Sequence, residues 1–197
     1  MMRCCFITLG CRVNQYESDA MAELLTQAGF EITENPAEAD VCIVNTCTVT
    51  NIADRKSRQM LSKAHKLNPN AKLIAVGCFA QRSPEAAAKL EGVYAVLGSA
   101  DKNRVVELVK SIAEGRENEP KSEKCNCGEK ELCDCCGGMK KFEQPENSEC
   151  SGNAAGGAKI LVRDVMHEHE FEEMSAVHEG RTRAYLKIQD GCNMFCT

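Results

Sequence analysis

The sequence predicts an α/β protein built on a parallel β-sheet with helices on both faces. Short apolar runs at residues 4–9, 41–44, 73–76 and 93–97 are typical of buried strands. Between them, apolar residues recur every three or four positions, which is the spacing of amphipathic helices. Strands that alternate with helices at these intervals pair in parallel, and the helices cover the two faces of the sheet.

Local signals predict where the helices begin and end. Asn14 and Glu17 have the spacing of a helix start. Ser83 followed by Pro84 predicts a capped helix with proline at its first position, and a last helix is expected over about 101–114. The second helix should stop before the proline at 69. Its predicted inward face consists of Ala53, Ser57, Met60, Leu61, Ala64 and Leu67.

Composition excludes several classes of protein. The chain of 197 residues is 43% hydrophobic and 27% charged, as expected for a protein that buries a core. No apolar run approaches the roughly 20 residues of a membrane span, and residues 1–9 make a poor signal peptide. We therefore expect a cytoplasmic protein without a membrane partner. Reduced thiols are the rule there, so its 14 cysteines favour metal binding over disulfides.

The chain divides into three segments by composition. Residues 1–115 carry the strand and helix pattern and form the first predicted domain. Residues 116–158 are rich in Glu, Lys, Gly, Ser, Asn and Cys, and we expect a poorly ordered linker or insertion. Residues 159–197 regain sheet-like character at 159–162 and 184–188 and stop inside a motif, which predicts a connector and the truncated start of a second domain.

The insertion contains a dense cysteine group that could bind a soft metal such as Zn²⁺ or Cu(I). The favoured alternative is a variable loop with adventitious metal affinity. The group consists of Cys125, Cys127, Cys133, Cys135 and Cys136.

Three cysteines far apart in sequence each come just after a predicted strand. They are Cys11, Cys47 and Cys78, and the sheet should bring them to one edge, because the carboxyl ends of parallel strands face a common crevice. A closed zinc site normally takes four ligands, whereas three thiolates suit a four-iron–four-sulfur cluster with one open iron. The simpler alternative is three small buried residues at strand ends. Cys4, Cys5 and Cys42 fall within strands and are expected to be core or edge residues.

A second cysteine pair lies at the end of the sequence. Cys192 and Cys196 follow the sheet-like run at 184–188 with three residues between them. This spacing alone is moderately specific. With a further cysteine two residues beyond Thr197 it would be the cysteine loop of radical S-adenosylmethionine enzymes, in which the cofactor's methionine chelates the open iron.

Four blocks of sequence together resemble the radical S-adenosylmethionine methylthiotransferase family. The first two resemble most the branch that acts on N6-threonylcarbamoyladenosine at position 37 of tRNA, and the resemblance covers about residues 3–115 and 159–197. The blocks are TLGCRVNQYES at 8–18, NTCTVT at 45–50, GCFAQ at 77–81 and RAYLKIQDGC at 183–192.

The resemblance implies a Rossmann-like first domain, two four-iron–four-sulfur clusters and S-adenosylmethionine. Cys11, Cys47 and Cys78 would hold a cluster whose sulfur ligand is methylated. Cys192 and Cys196 would hold the cluster that cleaves a second S-adenosylmethionine to a radical, with an electron donor as partner. The methylthio group would then pass to C2 of the adenine in tRNA. Residues 1–197 alone are expected to be inactive.

Two alternative functions and the role of one positively charged helix remain open. The same family also contains enzymes that act on a ribosomal protein, and the cysteines could instead form a non-enzymatic metal-binding or redox module. The helix after Cys47 carries Arg55, Lys56, Arg58, Lys63 and Lys66. These cations could face tRNA, although a solvated helix face is the more common explanation.

Overall fold

A six-stranded parallel sheet forms the centre of the structure, a computed structural model that describes residues 2–48, 50–99, 102–115 and 158–162. The strand order across the sheet is β2-β1-β3-β4-β5-β6, and every neighbouring pair is parallel. The strands are β1 (Arg3–Thr8), β2 (Glu31–Thr33), β3 (Val41–Thr46), β4 (Lys72–Gly77), β5 (Val93–Leu97) and β6 (Lys159–Leu161).

Helices cover both faces of this sheet, and a short 3₁₀ helix at Pro36–Glu38 precedes β3. One face buries side chains of α1 and α5 against the strands, and the other buries side chains of α2, α3 and α4. The predicted α/β class and the helices on both faces are therefore confirmed. The helices are α1 (Arg12–Gln27), α2 (Asn51–Leu67), α3 (Cys78–Arg82), α4 (Pro84–Ala88) and α5 (Arg104–Ala113).

The two central strands carry the core. Every residue of β3 and nearly every residue of β4 is buried, as expected for parallel strands covered by helices on both sides. On one face Met21 and Leu25 of α1 pack over Ile43 and Ile74 of these strands. On the other face Leu61 of α2 belongs to the second cluster of buried side chains.

The cysteines inside the strands belong to this core. Cys4, Cys5 and Cys42 are 0%, 1% and 2% exposed, which confirms the prediction that they are core residues. Burial, together with the charges of Cys5 and Asp40, raises the pKa of Cys4 to about 12. Such a thiol stays protonated at neutral pH and is a poor metal ligand, because the thiolate is the form that binds metal.

The structure departs from the prediction at several local points. Helix α1 begins at Arg12, with Cys11 as its N-cap, so the predicted capping pair of Asn14 and Glu17 is wrong; both side chains are buried instead. The hydroxyl of Ser83 makes no cap bond at α4. Leu67 is 51% exposed because the helix ends there, before Asn68 turns the chain.

The two edge strands of the sheet, β2 and β6, differ in how well the sequence predicts them. Strand β2 has only three residues, two of them exposed, and is too short for an alternating pattern. The sheet-like run after the insertion does form a strand, β6, and it pairs with β5 in the same sheet. The run at 184–188 lies outside the described residues. None of the helices that the structure describes could cross a membrane.

Two leucines of α2 provide a test of this packing. We expect Leu61→Ala to lower the free energy of unfolding by about 2–5 kcal/mol, because the buried side chain leaves a cavity. Leu67→Ala makes the same chemical change at an exposed position and should change it by no more than about 0.5 kcal/mol. Urea unfolding of both variants measures the difference, and equal losses would contradict this placement of the core.

Candidate functional site

Two loops and the first residue of α3, all at the carboxyl edge of the sheet, contain the predicted cysteines. Cys11 lies in the loop after β1, Cys47 directly follows β3, and Cys78 directly follows β4. From β1 the chain crosses to β2 on one side, whereas from β3 it proceeds to β4 on the other, so the topological switch point lies between β1 and β3. Ligands of open parallel sheets bind outside the carboxyl ends of the strands at this point.

The two loops touch each other. A Cβ atom placed on Gly10 would lie 2.6 Å from the Cβ and 2.7 Å from the Sγ of Cys47. Gly10 also has a φ of +98°, a conformation that side chains disfavour. Glycine is therefore required here twice, by the backbone angle and by the close approach of the Cys47 side chain.

The third thiol lies within electrostatic range of the other two. Burial raises the pKa of Cys78 above its ordinary value, and the charge on Cys47 raises it further. Lys102 lowers that pKa, and Glu17 and Cys11 raise it. The three thiols differ in access, since Cys47 is buried, Cys78 is half-buried and Cys11 is exposed.

Two asparagines hold the loops in this arrangement. The side-chain amide of Asn14 donates to the carbonyl of Leu9 at 2.8 Å and to that of Thr46 at 3.1 Å. It thus ties the end of β1 to the end of β3, and its Oδ1 accepts from the Cys11 thiol at 3.6 Å. Asn45, at the end of β3, adds a further bond to α1, because its Nδ2 donates to the Asn14 carbonyl at 2.9 Å.

Cys47 is fixed from the opposite face by α2. The backbone N–H of Cys47 donates to the Ser57 hydroxyl at 3.0 Å, and that hydroxyl donates to the Cys47 carbonyl at 2.8 Å. Ser57 is fully buried, so both bonds are shielded from water. On the preceding residue, the Thr46 hydroxyl donates to the Val76 carbonyl in β4. The backbone around Cys47 is therefore anchored to both a helix and a neighbouring strand.

A buried ion pair lies beside the cysteines. The Lys102 ammonium is 2.7 Å from the Glu17 carboxylate, and their side chains are only 3% and 4% exposed. Lys102 also donates to the Ser99 carbonyl at 2.7 Å. A buried charge is tolerated only when paired and hydrogen-bonded, and these contacts satisfy that condition. The pair also joins α1 to the chain that follows β5.

Sequence reasoning missed these supporting residues, although it located the cysteines. Apolar periodicity predicts Ser57 only as part of the inward face of α2, gives Asn45 and Lys102 no supporting role, and places Asn14 and Glu17 at a helix start. One available signal was the polar pair Asn45-Thr46 at the end of an otherwise apolar strand, where a buried polar side chain needs a nearby partner.

The arrangement offers soft thiol ligands but no site for a single ion. Within the described part of the chain, no three His, Cys, Asp or Glu side chains form a group that could hold one metal ion. Cys192 and Cys196 lie outside the described residues. The ligand roles predicted for Cys11, Cys47 and Cys78 therefore remain a prediction, which rests on their common edge, their free thiols and their mutual electrostatic influence.

Comparisons with known proteins define the class to which this domain belongs. Residues 3–98 match the family described as uncharacterized protein family UPF0004. The chain is 34% identical over 193 residues to the threonylcarbamoyladenosine tRNA methylthiotransferase MtaB of Bacillus subtilis, an alignment that covers 98% of this chain and 34% of that protein.

Two further relatives are also named methylthiotransferases, but their names give different substrates. The MtaB protein of Aquifex aeolicus is 32% identical over 198 residues, which is 100% of this chain and 38% of that protein. The ribosomal protein uS12 methylthiotransferase RimO of Chloroflexus aurantiacus is 29% identical over 191 residues, which is 96% of this chain and 36% of that protein.

Residues 3–98 thus carry the UPF0004 domain, and over nearly its whole length the chain is similar to a part of the methylthiotransferases of the MtaB type. It spans about a third of the length of the curated relatives it matches.

Replacing Gly10 tests the contact between the two loops. Gly10→Ala combines an unfavourable φ of +98° with a Cβ that collides with Cys47, so we expect a loss of stability well above the roughly 1–2 kcal/mol of the backbone conformation alone. Gly29→Ala is the matched control, because Gly29 has a φ of +89° and open space around it. Urea unfolding of the two variants measures the difference. Equal losses would show that Cys47 does not approach Gly10.

Replacing Lys102 tests the buried pair. Lys102→Met leaves the Glu17 carboxylate buried without its cation, and we expect a loss of about 3–5 kcal/mol in the free energy of unfolding. The double variant Glu17→Gln/Lys102→Met removes both charges and should be the more stable of the two. A double-mutant cycle by denaturant unfolding gives the coupling, and strictly additive losses would contradict a direct ion pair.

Proposed function

We propose that this chain is the sulfur-supplying part of an enzyme that adds a methylthio group to N6-threonylcarbamoyladenosine of tRNA. The observation that carries the proposal is the position of Cys11, Cys47 and Cys78 after β1, β3 and β4, at the switch-point edge of the sheet. The names of the MtaB relatives point to the same chemistry and the same substrate.

The three thiols suit a four-iron–four-sulfur cluster better than an ion. Such a cluster is bound by thiolates, and it is broader than one metal ion, so its ligands need not crowd around a single point. When bound, the cluster would supply the sulfur that the reaction transfers. Three protein ligands leave one iron open for that chemistry.

The residues of this chain have separate parts in holding that group. The Ser57 hydroxyl fixes the backbone of Cys47, and Asn14 fixes the turn that carries Cys11. Burial and the charge on Cys47 raise the pKa of Cys78, and the buried Lys102 acts against them and favours the thiolate form. The N-terminus of α1, which begins directly after Cys11, adds a partial positive charge.

Cys192 and Cys196 are proposed to hold a second four-iron–four-sulfur cluster, which binds S-adenosylmethionine. That cluster would need an electron donor, because its role is a reductive cleavage. One S-adenosylmethionine would serve as methyl donor and another as radical source. This chain spans about a third of the relatives' length, and we expect the full reaction to require a chain of that length. A tRNA substrate implies a cytoplasmic enzyme.

The competing substrate is a ribosomal protein, which the RimO relatives favour at lower identity. An assay of the full-length protein on tRNA that carries or lacks the threonylcarbamoyl group separates the two. Methylthiolation only of the threonylcarbamoylated tRNA supports the proposal, whereas modification of ribosomal protein uS12 alone overturns it.

A single cysteine variant tests the division of roles in the full-length protein. We expect Cys47→Ala to abolish methylthiolated adenosine while 5′-deoxyadenosine is still formed, because only the sulfur-supplying cluster loses a ligand. Iron content should fall to about half of the parent, since one of two clusters is lost. Cys4→Ala, a change of the same kind inside the core, should retain full iron and product.

The variants are read by iron analysis, 5′-deoxyadenosine and modified nucleoside in one preparation. Normal product from Cys47→Ala would remove Cys47 from the site. Loss of 5′-deoxyadenosine in the same variant would contradict the independence of the two cysteine sets.

A further inference from the structure

Helix α2 presents a continuous row of cations to solvent. Its side chains Arg55, Lys56, Arg58, Lys63 and Lys66 are all exposed, and we refer to them as the α2 basic strip. The helix contains a single acidic residue, Asp54, which pairs with Arg58 at 3.4 Å. Five cations therefore stand against one carboxylate.

Helical geometry places the strip on one side of α2. At 3.6 residues per turn, the five positions fall within an arc of roughly 160°, and Arg55 and Lys66 lie near its centre. The buried residues Ser57, Leu61 and Ala64 are on the opposite side and attach the helix to the sheet. From Arg55 to Lys66 the strip is about 16 Å long at the helical rise of about 1.5 Å per residue.

The strip starts beside the cysteine edge. Helix α2 begins four residues after Cys47, and Ser57 on its inner side holds both backbone groups of that cysteine. The strip therefore runs away from the site along a helix that is fixed to it. A polymer bound along the strip would have one point of its length next to Cys47.

The charge of the strip contrasts with the net charge of the chain and exceeds that of the two long helices on the opposite face of the sheet. The chain carries a net charge of −5. In α1, Arg12 is outnumbered by Glu17, Asp19 and Glu23, and α5 has two cations and one carboxylate. A concentration of cations on one helix of an acidic chain favours a local anionic partner over a general attraction to polyanions.

We propose that the α2 basic strip binds the phosphates of the RNA that flank the target nucleotide; this inference rests on the proposed function. Lys and Arg contacts to phosphates set the position of a nucleic acid without reading its sequence. A strip of about 16 Å matches roughly five phosphates at the 3.4 Å rise per phosphate of one duplex strand. Contacts on this fixed helix would hold the RNA while its target base reaches the cysteine edge.

The test compares two triple variants of the full-length protein with both clusters loaded. Arg55→Gln/Lys63→Gln/Lys66→Gln removes three cations of the strip and leaves the Arg58–Asp54 pair intact. Lys89→Gln/Arg104→Gln/Lys110→Gln removes the same number and kinds of exposed cations, two of them from α5 and one from position 89. Because both triple variants lose three positive charges, a difference between them in tRNA binding shows that the position of the cations matters. Thermal unfolding and iron content show that both variants are folded and loaded.

The readout is the Kd for threonylcarbamoylated tRNA as a function of salt concentration. We expect the strip variant to bind more weakly and its plot of log Kd against log salt to be less steep by about 2, since each lost phosphate contact removes about 0.7–0.9 from the slope. The control should keep the slope of the parent. The single variant Lys66→Gln should lower it by about 1.

The outcomes distinguish this inference from the proposed function. If the parent methylthiolates tRNA and the strip variant keeps the parent's Kd and slope, the strip is no phosphate site although the function stands. Equal losses in strip and control variants would likewise overturn the inference. If the parent neither binds nor modifies tRNA, the proposed function fails first. A reduced slope in the strip variant alone, with 5′-deoxyadenosine formation unchanged, supports both.

Discussion

The geometry of the cysteine edge depends on the side chain of Asn14. Its amide donates to two carbonyl oxygens that belong to different strands, those of Leu9 and Thr46. These carbonyls lie where strands end and the regular ladder no longer supplies partners, so a side chain must satisfy them. Because Asn14 is on α1, the same two bonds also set where that helix begins. Together with the backbone bond from Leu9 to Asn45, they fix the separation of the loops bearing Cys11 and Cys47.

Buried polar contacts support the site from both faces of the sheet, whereas the thiol of Cys11 stays exposed. Ser57 reaches Cys47 from α2, and the Glu17–Lys102 pair joins α1 to the chain after β5. Each of these supports is a buried polar contact that becomes unfavourable if one partner is removed. Cys11, in contrast, is exposed at a helix N-terminus. The buried contacts fix the backbone, and the exposed thiol remains available to an incoming group.

Sequence patterns predicted the sheet, its helices and the edge at which Cys11, Cys47 and Cys78 lie, because apolar periodicity and strand direction determine these features. They did not predict Asn14, Ser57 or Lys102 as supports, because a hydrogen bond between residues far apart in sequence leaves no periodic signal. Asn14 was even misassigned, since its spacing to Glu17 imitates a helix cap. Strand β2 was missed because three mostly exposed residues carry too little apolar pattern.

The direction of β6 determines where the rest of the chain emerges. Because β6 runs parallel to β5, its carboxyl end lies on the same edge of the sheet as the three cysteines. An antiparallel strand would have delivered the chain to the far edge, about 15–20 Å away for a strand of five or six residues. At about 4.8 Å between neighbouring strands, the exit point lies about 10 Å sideways from the end of β4. Residue 162, the last residue that the structure describes, therefore lies at the same edge of the sheet as the three cysteines.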